Sequence, residues 1–190
     1  MPESALIVAC IGKSTSFFTE MLSAASIDNI AAVKSCGEAR RFLLERDFDF
    51  VIIDSPLSDE TGENFARHVA VKGVSQSILV VNSEHFDAVS AVCEHDGVLT
   101  VSKPVDKGMF WSALMLAKSA QNKLKRKQSE DEKLKLKLEN IRIIDRAKYM
   151  LITYRNMSEK EAHRYIEKQA MDMRSTKRAI AEGILKTYEN

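Results

Sequence analysis

The chain is poor in the residues that usually break, cross-link or anchor a polypeptide. Its 190 residues include three prolines, three cysteines and one tryptophan. Cys10, Cys36 and Cys93 are scattered without a paired spacing, so neither a disulfide framework nor a zinc site is indicated, and we expect three small buried thiols in a reducing compartment. The longest apolar runs are too short to span a bilayer or to form a signal peptide. We therefore expect a soluble, cytoplasmic protein with no membrane partner.

Motifs that carry bond chemistry are also missing. The sequence holds no nucleophile–base pair, no glycine-rich phosphate loop and no metal-ligand spacing. We therefore predict that the protein is not an enzyme and needs no cofactor.

The formal net charge of +1 hides a division between the two halves of the chain. By sign, the residues through Lys118 carry roughly −6 and the remainder roughly +7. A basic tail fits a polyanionic partner, and it equally fits a solvated helical face. Composition alone leaves both interpretations open.

The acidic half alternates short apolar runs with amphipathic segments. Five runs are predicted as strands: Ala5–Cys10, Ile30–Val33, Phe50–Asp54, Ile78–Val81 and Val98–Val101. Helices are predicted from a Ser14 cap, over Gly37–Arg46, Glu63–Val71 and Phe86–Glu94, and from Asp106 onward. Such alternation predicts an α/β fold, a doubly wound five-stranded parallel sheet with helices on both faces.

Two charged residues end strands of this predicted sheet, where working groups of such folds gather. Asp54 ends the third strand, and Lys103 ends the fifth and precedes Pro104. This order resembles the receiver domain of response regulators, a flavodoxin-like fold, over residues 4–117. The resemblance implies that Asp54 is the phosphoacceptor, that Lys103 contacts the phosphoryl group, and that the Lys103–Pro104 peptide is cis.

The chain departs from the receiver pattern at several positions. The two carboxylates that would hold Mg²⁺ after the first strand are replaced by residues 9–12, which include no acid, and one carboxylate alone makes a poor Mg²⁺ site. Asn82, beside Ser83, stands at the switch position, and Thr100 replaces the usual aromatic. We expect a degenerate receiver in which Asp54 and Lys103 form an ion pair. Its input would be a sensor kinase or a ligand-sensing protein.

Residues 110–148 contain no glycine or proline, which predicts one long helix. Apolar residues near heptad spacing are Leu114, Ala117, Leu124, Leu134, Leu138 and Ile141. A dimerising coiled coil and a solvated single helix both fit this pattern. We favour the coiled coil, because a lone helix this polar is marginal in water. The predicted division is a receiver-like domain at 1–118, a helical linker at 119–140 and a terminal domain at 141–190.

The terminal domain is predicted as an all-α three-helix bundle. Ser158 with Glu161 forms a capping box, and Ser175 is predicted to cap the last helix. The segment resembles the ANTAR family, RNA-binding antiterminator domains, in three motifs: Arg142, Ile144, Ala147, Lys148; Met157, Ser158, Glu161, Ala162; and Ala170, Met171, Arg174. Tyr149 departs from the family, which commonly has glycine there.

The resemblance implies a transcription antiterminator that binds hairpin loops in nascent leader RNA as a homodimer. Candidate RNA-binding residues are Arg142, Arg146, Lys148, Tyr149, Arg174, Lys177 and Arg178. Tyr154, Tyr165 and His163 are further stacking candidates, although Tyr165 also fits the bundle core. Two other functions stay open: a DNA-binding response regulator, and a phosphotransfer or interaction protein with a dimerising tail.

Overall fold

The computed structural model of the chain describes residues 3–10 and 12–188. It forms two compact units, Met1–Lys125 and Arg126–Asn190. The predicted division at residues 118 and 140 stays a prediction. None of the helices in the described residues is long and apolar enough to cross a membrane. In chain order the elements are β1 (Ser4–Val8), α1 (Lys13–Ala24), β2 (Asn29–Val33), α2 (Cys36–Glu45), β3 (Phe50–Asp54), α3 (Glu63–Lys72), β4 (Gln76–Asn82), a 3₁₀ turn (Ser83–His85), α4 (Phe86–Glu94), β5 (Leu99–Lys103), α5 (Lys107–Arg155), α6 (Glu159–Asp172) and α7 (Lys177–Tyr188).

The first unit is the predicted parallel five-stranded sheet, in the order β2-β1-β3-β4-β5. Helices cover both faces and form two apolar cores, one around Phe18 and Phe110 and the other around Phe48 and Phe65. A strand covered on both sides has no solvent face, which explains why β3 is buried at all five positions. The α/β fold predicted from the sequence is therefore confirmed.

The start of α1 differs from the prediction. Ser14 does not cap this helix, which begins at Lys13 after Gly12, and no side chain caps it. Gly12 has φ near 156°, a conformation that glycine adopts readily, so the chain enters the helix without a side-chain acceptor. By contrast, Ser35 caps α2 and accepts a hydrogen bond from the amide of Glu38 at 3.2 Å.

The three thiols do not share one environment. Cys36 and Cys93 are buried, and burial raises the pKa of Cys36 to about 12 and also raises the pKa of Cys93. The expectation of burial was wrong for Cys10, which is exposed because β1 ends at Val8 and Cys10 lies beyond the sheet.

The long helix α5 belongs partly to the first core. Leu114 and Ala117 are fully buried there, so the predicted apolar seam was wrong in including them. Gln121 extends this anchorage, because its amide donates to Asp49 Oδ1 at 3.1 Å and to the carbonyl of Val74 at 2.9 Å. These contacts fix the first part of α5 against the sheet.

The second unit is built from the end of α5 with α6 and α7. Its core consists of Ala147, Leu151, Ala162, Ile166, Ala181 and Leu185, one pair from each helix. The small alanines allow the three helices to approach closely. The predicted three-helix arrangement is confirmed.

Of the two helix caps predicted for the second unit, one is present and the other is formed by a neighbouring residue. The capping box is present: the Glu161 amide donates to Ser158 Oγ at 3.3 Å, and the Ser158 amide donates to Glu161 Oε2 at 2.8 Å. The Ser175 cap was wrong, because Thr176 Oγ1 accepts from the Ala179 amide at 3.2 Å. The Ser175 amide instead donates to the Ala170 carbonyl at 2.9 Å and closes α6.

Candidate nucleic-acid interface and sheet-edge site

A groove on the exposed side of α5 brings together two arginines and a tyrosine. Arg142, Arg146 and Tyr149 follow one another at four- and three-residue spacing, so they share one helix face. They line the groove of about 590 Å³ together with Asp145 and Met150. Tyr149 is 65% exposed, so its ring is available for stacking. An exposed aromatic side chain on the same helix face as guanidinium groups suits an unstacked base and its neighbouring phosphates.

Lys148, on the same helix, is held by the protein itself. Its Nζ lies 2.7 Å from Asp145 Oδ1 and 3.5 Å from Glu159 Oε1, and only 16% of its side chain is exposed. The hydrogen bond that Lys148 donates to Asp145 raises the pKa of Lys148. The residue therefore ties α5 to the start of α6, and its predicted contact with RNA stays a prediction.

Lys177 and Arg178, at the start of α7, are also paired. Lys177 bonds to Glu167 of α6. Arg178 contacts Glu182 at 2.8 Å and Glu139 at 3.2 Å, and it donates to Asn140 at 2.9 Å. The first turn of α7 is thus largely neutralised by carboxylates of its own domain.

Arg174 is exposed and stands in an unusual backbone conformation. Its φ is 48°, the left-handed region, at the position where α6 ends. Within residues 3–10 and 12–188, neither Arg174 nor Arg142 takes part in an ion pair. Of the predicted RNA-binding residues, these two arginines and Tyr149 are the ones that the fold presents to solvent with their binding groups available.

The predicted dimerisation residues divide into two kinds. Leu134, Leu138 and Ile141 are exposed by 50% to 56% and share one face of α5 at four- and three-residue spacing. Leu124 is only half-exposed and lies in the first unit. The exposed leucine stripe is an unpartnered apolar face in the single chain.

At the carboxyl edge of the sheet, Asp54 and Lys103 meet as an ion pair. Lys103 Nζ lies 2.7 Å from Asp54 Oδ1 and also donates to the carbonyl of Ser55. Asp54 is only 8% exposed. The Lys103–Pro104 peptide is cis, as the sequence resemblance implied.

The switch position of the receiver pattern, Asn82 with Ser83 beside it, lies at the end of the neighbouring strand β4. Asn82 ends β4 beside Lys103, and Ser83 begins the 3₁₀ turn; both are exposed. Thr100 Oγ1 donates to Ser90 Oγ at 2.8 Å, so β5 is joined to α4 by a hydroxyl contact instead of an aromatic one.

The cleft beside this pair does not suit Mg²⁺. It measures about 320 Å³, and Asp54 is the one carboxylate among the described residues that line it. Lys13 and Lys103 contribute two ammonium groups, whereas Mg²⁺ requires oxygen ligands in octahedral geometry. Lys13 was not among the predicted site residues, although it is the first charged residue after the first strand.

Known proteins resemble this chain both in its helical C-terminal part and along most of its length. The model of the ANTAR domain family matches residues 132–185. The transcriptional regulatory protein PdtaR of Mycobacterium tuberculosis is 27% identical over 139 residues, which cover 73% of this chain and 68% of PdtaR.

Solved structures resemble the first unit. A CheY-like response-regulator receiver domain from Methylobacillus flagellatus superposes with a TM-score of 0.53 at 20% identity, covering 62% of this chain and 99% of that domain. The receiver domain of a LuxO repressor protein from Vibrio parahaemolyticus gives 0.55 at 18% identity, covering 69% and 96%.

Sheet order and sheet-edge residues thus define the class: an α/β domain of receiver fold followed by a helical domain. The match to a family lies in the helical domain: residues 132–185 are an ANTAR domain. The domain that precedes it in the chain has the receiver fold.

Proposed function

We propose that this protein is a cytoplasmic, RNA-binding transcription antiterminator without catalytic activity. It acts as a homodimer on hairpin loops in nascent leader RNA and so prevents a terminator stem from forming. The front domain controls how much dimer is available or whether the ANTAR domains are accessible. The name of PdtaR, a transcriptional regulatory protein, agrees with a role in transcription.

The observation that carries the proposal is the groove of Arg142, Arg146 and Tyr149 within the matched ANTAR domain. RNA-binding proteins commonly read unpaired loop bases by stacking and hold the backbone by arginine. Tyr149 offers an exposed ring, and Arg142 offers a guanidinium that no carboxylate of the described residues neutralises. An RNA loop offers both an unpaired base for the tyrosine ring and a phosphate for the guanidinium.

The dimer is proposed from the exposed stripe of Leu134, Leu138 and Ile141. Three large apolar side chains on one face of a charged helix favour a partner that presents the same face. A dimer would present two ANTAR domains to two hairpins, and the second contact would then benefit from a high effective concentration.

We further propose that the front domain is switched by contact with a protein partner, a sensor kinase or a ligand-sensing protein, and not by phosphate. The Asp54–Lys103 pair and the ammonium group of Lys13 leave the cleft without the ligands that Mg²⁺-dependent phosphoryl transfer uses. Incubation with Mg²⁺ and acetyl phosphate should leave the intact mass unchanged. A gain of one phosphate that disappears in Asp54→Asn would contradict this part.

A DNA-binding function is less well supported by the geometry. A recognition helix needs free polar side chains at its exposed N-terminal turn. Here Lys177 and Arg178 occupy that turn, and both are bonded to carboxylates of the same domain.

The experiment that tests the proposal measures binding of the whole chain to a pool of RNA hairpins with randomised loops, and to duplex DNA of equal length. We expect enrichment of particular hairpins, with an affinity that falls steeply as salt rises. Arg142→Ala and Tyr149→Ala should each weaken the enriched hairpin. Arg126→Ala removes an exposed arginine of α5 outside the groove and serves as the matched control. Preference for duplex DNA would refute the proposal.

The remaining alternative is a phosphotransfer or interaction protein whose tail only dimerises. It predicts that Arg142→Ala and Tyr149→Ala leave every nucleic-acid affinity unchanged while the dimer persists. Sedimentation in parallel with binding separates this alternative from ours, because each variant is measured for both properties.

A further inference from the structure

The ANTAR domain contains a second concave feature, distinct from the α5 groove. A pocket of about 310 Å³ lies among the end of α5, α6 and α7. Tyr165, Tyr188 and Arg155 line one part of it, and Gln169 and Thr187 add polar groups. None of these residues belongs to the groove of Arg142 and Tyr149.

The aromatic and cationic groups of this pocket are held in place by one another. Arg155 Nε donates to Tyr188 Oη at 2.8 Å, and the guanidinium lies 5.7 Å from the centre of the Tyr165 ring. Tyr188 stacks on Tyr154 with ring centres 5.1 Å apart. The hydrogen bond to Tyr188 raises the pKa of Arg155, so the side chain stays charged. The rings are therefore fixed before anything binds.

Gly183 lies in the lining of the pocket and has no side chain that occupies its volume. It lies inside α7, where glycine is a poor helix former, and its φ is not in the left-handed region that would require glycine. A Cβ at Gly183 would meet nothing within 4 Å. Close packing therefore does not explain this residue, and its place in the pocket lining makes it a position where a larger side chain can be introduced to fill the volume.

The chemistry of the pocket selects its occupant. Its walls are apolar and aromatic, its polar groups are few, and it accommodates a single ring system. A planar base can stack on tyrosine, direct its edge to Gln169 or Thr187, and place its phosphate near Arg155. An acidic or aliphatic ligand would leave either the tyrosines or the guanidinium unused.

We propose that this pocket receives one unpaired nucleobase of the bound RNA, as a second contact besides the α5 groove. The inference rests on the proposed RNA-binding function. It assigns to Tyr165, Tyr188 and Arg155 a binding role in addition to their packing in the bundle.

Two substitutions at one position test the pocket in the whole chain. Gly183→Met fills the opening with a flexible apolar side chain, and Gly183→Ala gives a similar gain in helix propensity while leaving most of the volume free. The probe is a hairpin enriched from the randomised pool, with 2-aminopurine placed at each unpaired position in turn. We expect Gly183→Ala to bind like the parent and Gly183→Met to bind about tenfold or more weakly. For one of the labelled positions, the fluorescence change of 2-aminopurine on binding should be lost with Gly183→Met.

The outcomes separate the two proposals. Equal affinity and equal fluorescence for Gly183→Met and Gly183→Ala would overturn the pocket while RNA binding stands. If the parent enriches no hairpin, both proposals fall. If Gly183→Met alters the sedimentation of the RNA-free protein, the pocket belongs to contact between copies of the chain and the base assignment is overturned. Circular dichroism of both variants verifies that the helices are retained.

Discussion

At the scale of single residues, Arg174 combines strain with exposure. A left-handed backbone costs a non-glycine residue about 1 kcal/mol or more, and glycine is the usual occupant of this helix-ending position. Arg174 lies exposed there, and no ion pair within the described part of the chain accounts for its guanidinium. We propose on this ground that Arg174 serves binding instead of folding.

We therefore predict that Arg174→Gly separates stability from binding. The variant should unfold with a free energy about 0.5–1 kcal/mol higher than the parent, because the strain is relieved. Its affinity for the enriched hairpin should fall severalfold. The slope of log affinity against log salt concentration should decrease in magnitude by about one, the loss of a single phosphate contact. Thermal melts and binding titrations at several salt concentrations measure both effects.

Asn156 provides the matched control for this prediction. It also has a left-handed backbone, with φ of 52°, after the end of α5. Asn156→Gly changes the same conformational preference without removing a charge. Its RNA affinity should equal that of the parent. Loss of binding in both variants would assign the effect to helix ends, and unchanged binding in Arg174→Gly would remove that residue from the interface.

Residue-scale features were predictable where both partners are close in the sequence. Ser158 and Glu161 are three residues apart, and their capping box was read correctly from the sequence alone. One partner of Arg178 is Glu182, four residues away, which a helical pattern can reveal, whereas Glu139 is 39 residues away and no local pattern could reveal it. Lys148 also combines both kinds of partner, because Asp145 is three residues away, whereas Glu159 reaches it across a helix boundary.

At the scale of elements, α5 is attached to the sheet through Asp49. One carboxylate accepts from the Ser4 amide at 2.9 Å and from Gln121 at 3.1 Å, and it pairs with Lys125 at 2.6 Å. Burial alone would raise the pKa of Asp49, but the hydrogen bonds from Lys125, Ser4 and Gln121 outweigh it and lower the pKa. The charged form is therefore the one that holds β1, β3 and α5 together.

We predict that Asp49→Asn lowers the free energy of unfolding of the first unit by about 2 kcal/mol at pH 7. Because the folded pKa is depressed, the contribution of Asp49 is complete above its ordinary range near pH 4 and is lost as pH falls through the folded value. The difference between parent and variant should shrink below about pH 4. Denaturant unfolding at a series of pH values, followed by the fluorescence of Trp111, measures this difference.

The control for Asp49 is Asp47→Asn, an exposed carboxylate two residues earlier. It should change stability by less than about 0.5 kcal/mol at every pH. A gap between parent and Asp49→Asn that stays constant from pH 7 to pH 3 would contradict the assigned role of the charge.

Whole elements were predicted better than their junctions. Alternation of apolar runs determined the sheet, because strands covered on both faces must be apolar throughout. The absence of glycine and proline determined α5 as one helix. The sequence could not show where α5 leaves the first core, since Leu114 and Leu134 look alike in a heptad pattern and differ only in what packs against them.

At the scale of the whole molecule, one helix belongs to two units with different tasks. The acidic front unit holds the Asp54–Lys103 pair, and the basic unit holds the groove and the pocket. Because α5 contributes to both units, we propose that a change in its self-association connects an input to the first unit with RNA binding by the second. The exposed stripe of Leu134, Leu138 and Ile141 is the place where such a change would act.

We predict that replacing Leu134, Leu138 and Ile141 together by alanine converts the dimer into a monomer, because about 0.8 kcal/mol is lost for each buried methylene removed. Alanine keeps the helix intact. Affinity for an RNA with two hairpins should fall at least tenfold, whereas affinity for one hairpin should change little, since only avidity is lost. Sedimentation velocity and titrations with both RNAs measure the two effects.

The matched control replaces Leu44 and Val71, exposed apolar residues of the first unit, by alanine. This variant removes similar apolar surface and should remain dimeric with both affinities unchanged. A triple variant that still sediments as a dimer would show that another face joins the two copies. A monomeric triple variant that binds the paired hairpins as tightly as the parent would mean that one chain suffices for recognition, so that control of dimer formation could not be how the front unit regulates RNA binding.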